Sequence, residues 1–465
     1  MNYPNVNYAA VVKSPGLREK FTIVNTRLWC RIFAGFFGTT LLACIALSVV
    51  IVYLLGRLKW QTYHSIPARL TRDYRPFVEV DPSFRNLQDN IIESVKKKTN
   101  LWQASLNRHA SEVPPERYRH LGRDQLIDGF IRDHLDPEFL NCTIRRQEEL
   151  LSALTNGYNL PAFFDARDKW GAKCGTLHDI WDQAGCGSCW AIAVASTVAD
   201  RICIQSNGSH QPRISPEDLL TCCDSCGGCQ GALNILQPWI HFLKHGIATG
   251  GHFGSYEGCK PYTFAPTCGS PCLLRQYLEA AEDKQECLST CRDQYNVPYK
   301  KDLYKGSIVY HLGLSEHYRI LEQVNEFVLH DRNILNKSSM QPFVKVLTKL
   351  IETPKLPQAI YNASLVEAMI QHELMERGPL TTCFNLTEDI QHYQSGIYHY
   401  IAGRSLYGHC VKLIGWGEDK GVKYWTLANS WGRDWGEFGY FRFMRGENEQ
   451  GIEDLLAGGL ADLHF

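Results

Sequence analysis

Several things are scarce in this chain, and each scarcity removes an option. Charge of one sign is missing: 48 Lys and Arg stand against 49 Asp and Glu, a formal net charge of -1 over 465 residues. That balance gives no electrostatic reason to expect nucleic acid or an acidic polymer as partner. The one short basic run, Lys96-Lys97-Lys98, reads as a solvated helix face. There is no internal repeat, which sets aside repeat architectures. Long apolar runs are rare, and Ile32 to Leu55 is the uncharged stretch long enough to span a bilayer. No clean Ala-x-Ala site follows it, and its core exceeds that of a signal peptide, so we expect an uncleaved signal anchor. Histidine is absent from Cys259 to Cys291, although the chain has 17.

The chain is long enough for two or three domains or lobes, and 44% hydrophobic with 21% charged residues is ordinary for a globular protein. Cysteine is abundant: 18, of which sixteen follow residue 60. That argues for an oxidising compartment. The sequons at Asn141, Asn207, Asn336, Asn362 and Asn385 agree, as expected glycosylation sites. Charge does not orient the apolar segment, because five basic residues precede it and five follow. The cysteines and sequons do, placing the C-terminal part in the lumen or outside. The expected order is a tail (1–31), a membrane anchor (32–55), a stem and pro-segment (56–159) and a catalytic domain (160–465). Tyr3-Pro4-Asn5-Val6 and Tyr8-Ala9-Ala10-Val11 have the form of endosomal sorting signals, pointing to endosome or lysosome, with secretion after processing as another outcome.

Chemistry concentrates at Gln183-Ala184-Gly185-Cys186-Gly187-Ser188-Cys189-Trp190. The run that follows, Ala191 to Cys203, is apolar nearly all round, as a buried helix should be, and stops at Asn207-Gly208. A glycine-rich loop thus delivers Cys189 to a helix N-terminus. Unpaired N–H groups and the helix dipole there favour a thiolate. Such a nucleophile needs a base, an orienter and oxyanion donors. Two distant segments offer them: Gly408-His409-Cys410 running to Gly417, and Tyr424 to Gly432 containing Asn429-Ser430-Trp431.

Taken together, these three segments resemble the papain family of cysteine peptidases, and within it the cathepsin B branch, from about Leu160 to Gly459. The resemblance implies an α+β fold of two lobes, one helical and one sheet or barrel, with the active cleft between them. It implies Cys189 as nucleophile, His409 as its partner, Asn429 as orienter of the imidazole and Gln183 as oxyanion donor. Trp431 would cover the His409–Asn429 bond. Gly187, Gly231, Ala232, Cys383, Gly408, Cys410 and Leu455 would line the substrate sites. Protein or peptide substrates are the implied partners, together with the membrane through residues 32–55; no cofactor or metal is implied, and no nucleic acid.

The same resemblance implies the pairs Cys174–Cys203, Cys186–Cys229, Cys222–Cys287, Cys223–Cys226, Cys259–Cys291 and Cys268–Cys272, with zinc at the Cys-x-x-Cys as the alternative. Cys383 and Cys410 fall in the pocket for the second residue before the scissile bond, where a Cys383–Cys410 bridge would narrow it. Cys142 is left over. Leu455 replaces the branch's acidic residue, so that pocket should prefer apolar side chains. Phe84 to Ala104, above all Asn100-Leu101-Trp102-Gln103-Ala104, resembles the branch's short propeptide, an inhibitor lying in the cleft. Cleavage is expected a few residues before Leu160; a structural N-terminal domain that stays attached is the alternative. Without histidine in the occluding-loop region, carboxydipeptidase activity should be weak unless Arg275 or Lys284 substitutes. Ala232 stands where the family has glycine, tolerable if its φ is negative. Residues 313–362 read as a helical surface insertion. The competing function is a catalytically silent relative acting as a matrix or binding protein, as in the tubulointerstitial nephritis antigen group.

Overall fold

A computed structural model describes residues 82–106, 137–157, 159–232, 235–266, 286–313, 362–454 and 456–463. All belong to one compact unit, Val80–Phe465. The tail, the apolar segment 32–55, the stem to residue 81 and most of the 313–362 insertion lie outside the described residues. Among the described residues, no helix is long and apolar enough to cross a membrane.

Among the described residues, two helices precede the catalytic domain. Helix α1 (Pro82–Lys98) leads into the short strand β1 (Trp102–Ala104). The Lys96-Lys97-Lys98 run is exposed on α1, with Lys96 and Lys97 paired to Glu93 of the same helix. Helix α2 (Pro137–Thr155) follows. After the small strand β2 (Phe164–Asp165) and helix α3 (Ala166–Trp170), capped by the Asp165 side chain on the Arg167 N–H, comes α4 (Cys189–Gln205). Every residue of α4 from Cys189 to Cys203 is buried, which is what an all-round apolar sequence requires. It ends at Asn207 and Gly208, both at positive φ. Helices α5 (Pro216–Cys222), capped by Ser215, α6 (Leu236–Lys244) and α7 (Tyr299–Asp302) are the further helices of this side among the described residues.

The other side is a sheet. Strand β3 (Gly306–Leu312) and helix α8 (Ala363–Arg377) precede β4 (Leu380–Thr387), β5 (Tyr393–Tyr398), β6 (Ser405–Asp419), β7 (Val422–Ala428), β8 (Tyr440–Met444) and β9 (Leu456–Ala461). The spatial order is β1-β5-β8-β7-β6-β4-β9-β3, with β2 on β6. Tyr, Trp and Val supply the strands, and the aromatic core includes Trp416, Trp425, Tyr393, Phe441 and Phe443.

Both ends of this sheet are finished by the N-terminal region. At one end β1 pairs antiparallel with β5, Trp102 opposite Gly396. Gly396 sits at φ 103°, and a Cβ there would lie 2.3 Å from the Leu101 carbonyl oxygen, so the approach of β1 requires glycine. Trp102 donates to the His399 carbonyl at 3.0 Å and packs on Tyr398. At the other end α2 lies against β3, with Phe139 and Leu150 buried.

Candidate active site

The loop before α4 is held by backbone constraints. Cys186 is bonded to Cys229, and the Gly187 N–H donates to the Cys229 carbonyl at 2.9 Å. A Cβ on Gly187 would lie 2.5 Å from that oxygen, so only glycine allows the contact. Ala184 takes φ 52°, a left-handed conformation costly for alanine, and its N–H donates to Asp182 Oδ1 at 2.8 Å. Ser188 occupies the N-cap of α4 but its hydroxyl makes no capping bond. It lies 2.6 Å from the Tyr262 hydroxyl, which itself donates to the Gln183 carbonyl at 2.8 Å. Since the Tyr262 proton is used on Gln183, Ser188 is the donor to Tyr262. The first N–H groups of α4, at Cys189, are therefore left without a side-chain cap.

The facing wall is β4, β6 and the loop after β7. Register places Phe384 opposite His409 and Cys383 opposite Cys410. His409 Nε2 lies 2.8 Å from Asn429 Oδ1, and the same oxygen accepts the Ser430 N–H at 2.8 Å. An oxygen receiving a backbone N–H is an acceptor toward the imidazole too, so Nε2 carries the proton and Nδ1 is left as the base. Trp431 stacks over the His409 ring at 4.7 Å and is braced edge-on by Trp435. The walls are joined by the Gln183 N–H donating to the Ser430 carbonyl and by Ser430 Oγ donating to Gln183 Oε1, both 2.8 Å. Gln183 Nε2 donates to the Cys186 carbonyl at 3.0 Å; an amide nitrogen has a second N–H, which remains for a ligand. Deeper, Lys412 on β6 pairs with Asp200 on α4 at 2.6 Å, both buried.

Burial pushes the Cys189 thiol up; backbone N–H groups of Cys410, Trp190 and Cys189 oppose it. The Cys410 contact sets the Cys189 sulfur against the residue after His409. Burial lowers His409 to about 4, against the bond to Asn429. Burial thus disfavours the charged form of each group alone, and a thiolate here is favoured when its charge arises together with an imidazolium.

The sequence-derived residues fall as follows. Gly187 lies in the turn before Cys189, Gly408 is exposed beside His409, and Gly231, at φ 96°, ends the turn after Cys229. Ala232 is half-buried and is not among the residues at positive φ, which removes the objection to alanine there. Disulfides join Cys174–Cys203, Cys186–Cys229, Cys222–Cys287, Cys223–Cys226, Cys259–Cys291 and Cys383–Cys410, so the Cys-x-x-Cys sulfurs are bonded to each other. Cys142 and Cys189 carry thiols. Asn141, Asn207, Asn362 and Asn385 are exposed; Asn362 Oδ1 also caps α8 on the Leu365 N–H. Leu455, Cys268, Cys272, Arg275, Lys284 and Asn336 lie outside the described residues. Sequence reasoning missed Ser430, Tyr262 and the strained Ala184. Ser430 adjoins Asn429, a usable signal; nothing local marks Tyr262.

Comparison with known proteins accords with this geometry. The profile of the papain family cysteine proteases matches residues 160–343 and 348–459. Cathepsin B-like cysteine proteinase 5 of Caenorhabditis elegans is 38% identical over 313 residues, covering 65% of this chain and 75% of its own. Cathepsin B-like cysteine proteinase 6 of the same organism is 34% identical over 395 residues, covering 83% and 86%. A solved structure, procathepsin B S9 from Trypanosoma congolense, is 30% identical with a TM-score of 0.46, covering 66% of this chain and 79% of that one. The chain belongs to the papain family of cysteine proteases.

Proposed function

We propose that this cathepsin B-like cysteine protease is an endopeptidase, made as a zymogen anchored by residues 32–55 with its catalytic domain luminal or extracellular. The observation that carries the reading is the His409–Asn429 couple under Trp431, set against the uncapped helix start that bears Cys189. In the proposed reaction the Cys189 proton passes to His409 Nδ1 as sulfur attacks the substrate carbonyl. The oxyanion receives the Cys189 N–H and the remaining N–H of Gln183 Nε2. The tetrahedral adduct collapses, His409 gives its proton to the leaving amine, and an acyl-thioester remains. Water, deprotonated by His409, then releases the acid and restores the thiol.

Apolar preference at the second residue before the scissile bond is supported by Leu455 in the sequence and by the Cys383–Cys410 bridge beside His409. Weak carboxydipeptidase activity is supported by the histidine-free stretch Cys259 to Cys291. The test is labelling with an epoxide warhead on acid-activated protein beside Cys189→Ser. Labelling of the wild type alone is expected; no labelling after verified removal of the pro-segment would favour the silent, binding-protein reading. Paired substrates with leucine or arginine at the second position test the pocket, and equal cleavage would refute the preference. Retention of the full-length chain in membranes after alkaline carbonate extraction is the expected sign of the anchor.

A further inference from the structure

We propose that α2 remains on the protease after activation, as a resident element of the catalytic domain, and that the segment which leaves is α1 with β1. This holds whether or not the chain is cut before Leu160, and it rests on the zymogen reading above. The argument starts at the edge of the sheet. Strand β3 is the outermost strand, paired on one side with β9. On its open side the His311 N–H donates to Thr143 Oγ1 and the His311 carbonyl accepts from Gln147 Nε2, both 3.2 Å. Thr143 and Gln147 are one helical turn apart, so one face of α2 stands in for a missing strand. Losing α2 would bare that edge.

The same face carries Arg146, 4% exposed in its side chain, into a knot of charge. Glu373 on α8 is fully buried and accepts from Arg146 Nε through Oε2 at 2.8 Å. Its Oε1 accepts from Arg201 Nη2 at 2.8 Å and the Tyr310 hydroxyl at 2.6 Å. Glu376 also binds Arg146, and Arg377 reaches the Tyr310 hydroxyl and Glu149. Departure of α2 would leave one oxygen of a buried carboxylate without its cation. Phe139 belongs to the core with Trp239, Phe242 and Val309, while Leu150 belongs to that with Leu312, Ile370 and Leu374. The hydrogen-bond partners of α2 outside itself, His311 on β3 and Glu373, Glu376 and Arg377 on α8, lie on elements that bear none of Cys189, His409 and Asn429, so α2 need not leave for the site to work. Acid does not loosen the knot: burial pushes Glu373 up, but Arg201, Arg146 and Arg377 hold it at about 2.

The test uses the full chain, activated in acid or, where it does not process itself, trimmed with pepsin. Native gel filtration in acidic buffer is followed by denaturing mass analysis. Equimolar co-elution of residues 137–155 with the fragment containing Cys189 is expected, covalent or not, with α1 gone. Epoxide-labelled enzyme lacking residues 137–155 would overturn the proposal. Arg146→Ala should cause loss of α2 on cutting while labelling per molecule stays unchanged. If that variant does not fold, Gln147→Leu removes the edge bond alone, and α2 should then wash off faster than from the wild type. Retained α2 without labelling would sink the zymogen reading on which this proposal rests, whereas labelled enzyme without α2 would sink the proposal alone.

Discussion

Segments α1–β1 and α2 both precede the catalytic domain and both bury apolar side chains in it, yet they are fastened by different physics. The first is held by strand pairing and neutral contacts: β1 on β5, the Ser105 N–H on the His392 carbonyl at 2.9 Å, Trp102 against Tyr398. His392 beneath it is buried, and burial lowers its pKa to about 4 against the Ser105 backbone and Asp89. The second is fastened by the buried Glu373 carboxylate, which the guanidiniums of Arg201, Arg146 and Arg377 hold at about 2 against the upward push of burial. A clamp made of a neutral buried histidine weakens on acidification; one made of a low-pKa carboxylate does not. Permanence and release are written in different residue types.

The largest effect that would break this contrast is on the knot. Glu373→Ala should destabilise the zymogen by about 3–5 kcal/mol in urea unfolding, because it strands Arg146 and Arg201. An unchanged midpoint would mean the charges do not fasten α2. Trp102→Ala should weaken the α1–β1 hold by about 3 kcal/mol, read as epoxide labelling of the zymogen without acid. For His392 the sign is set by a folded value near 4 against an ordinary 6.5. As pH falls from 6.5 toward 4 the released form takes up a proton that the held form refuses. The hold then weakens by roughly 2–3 kcal/mol across that window and levels off below it. His392→Gln should flatten the pH dependence of pro-segment release; an unaltered profile would assign acid activation elsewhere. The smallest effect is Thr143→Val, which deletes one bond to the His311 N–H and should cost about 1 kcal/mol in thermal unfolding.

How much was legible in the sequence follows from how local each signal is. Helix α4 was readable because burial on every face imposes apolar residues at every position, and Ala191 to Cys203 shows just that. The pairing of His409 with Asn429 was readable because each sits in a motif of adjacent residues. The role of α2 was not. Its sequence mixes Arg146, Gln147 and Thr143 with apolar residues in the manner of any surface helix, and their partners on β3 and α8 lie 164 to 230 residues downstream. Tyr262, 74 residues past Ser188, was hidden for the same reason. Ala184 was hidden differently, because a residue name does not reveal the sign of φ. The expected insertion, most of 313–362, and Leu455 lie outside the described residues and contribute nothing to this comparison.

The Cys383–Cys410 bridge, one residue from His409, has a practical corollary for the bench. A thiol protease is commonly assayed with added reductant so that its nucleophile is not oxidised. Here both cysteines of the bridge are only half-buried, so the reductant that protects Cys189 also attacks a bond in the same cleft. The enzyme in a strongly reducing buffer and the enzyme in oxidising surroundings are then two chemical species. A selectivity profile has meaning for this protein only when the thiol–disulfide poise at which it was taken is stated beside it.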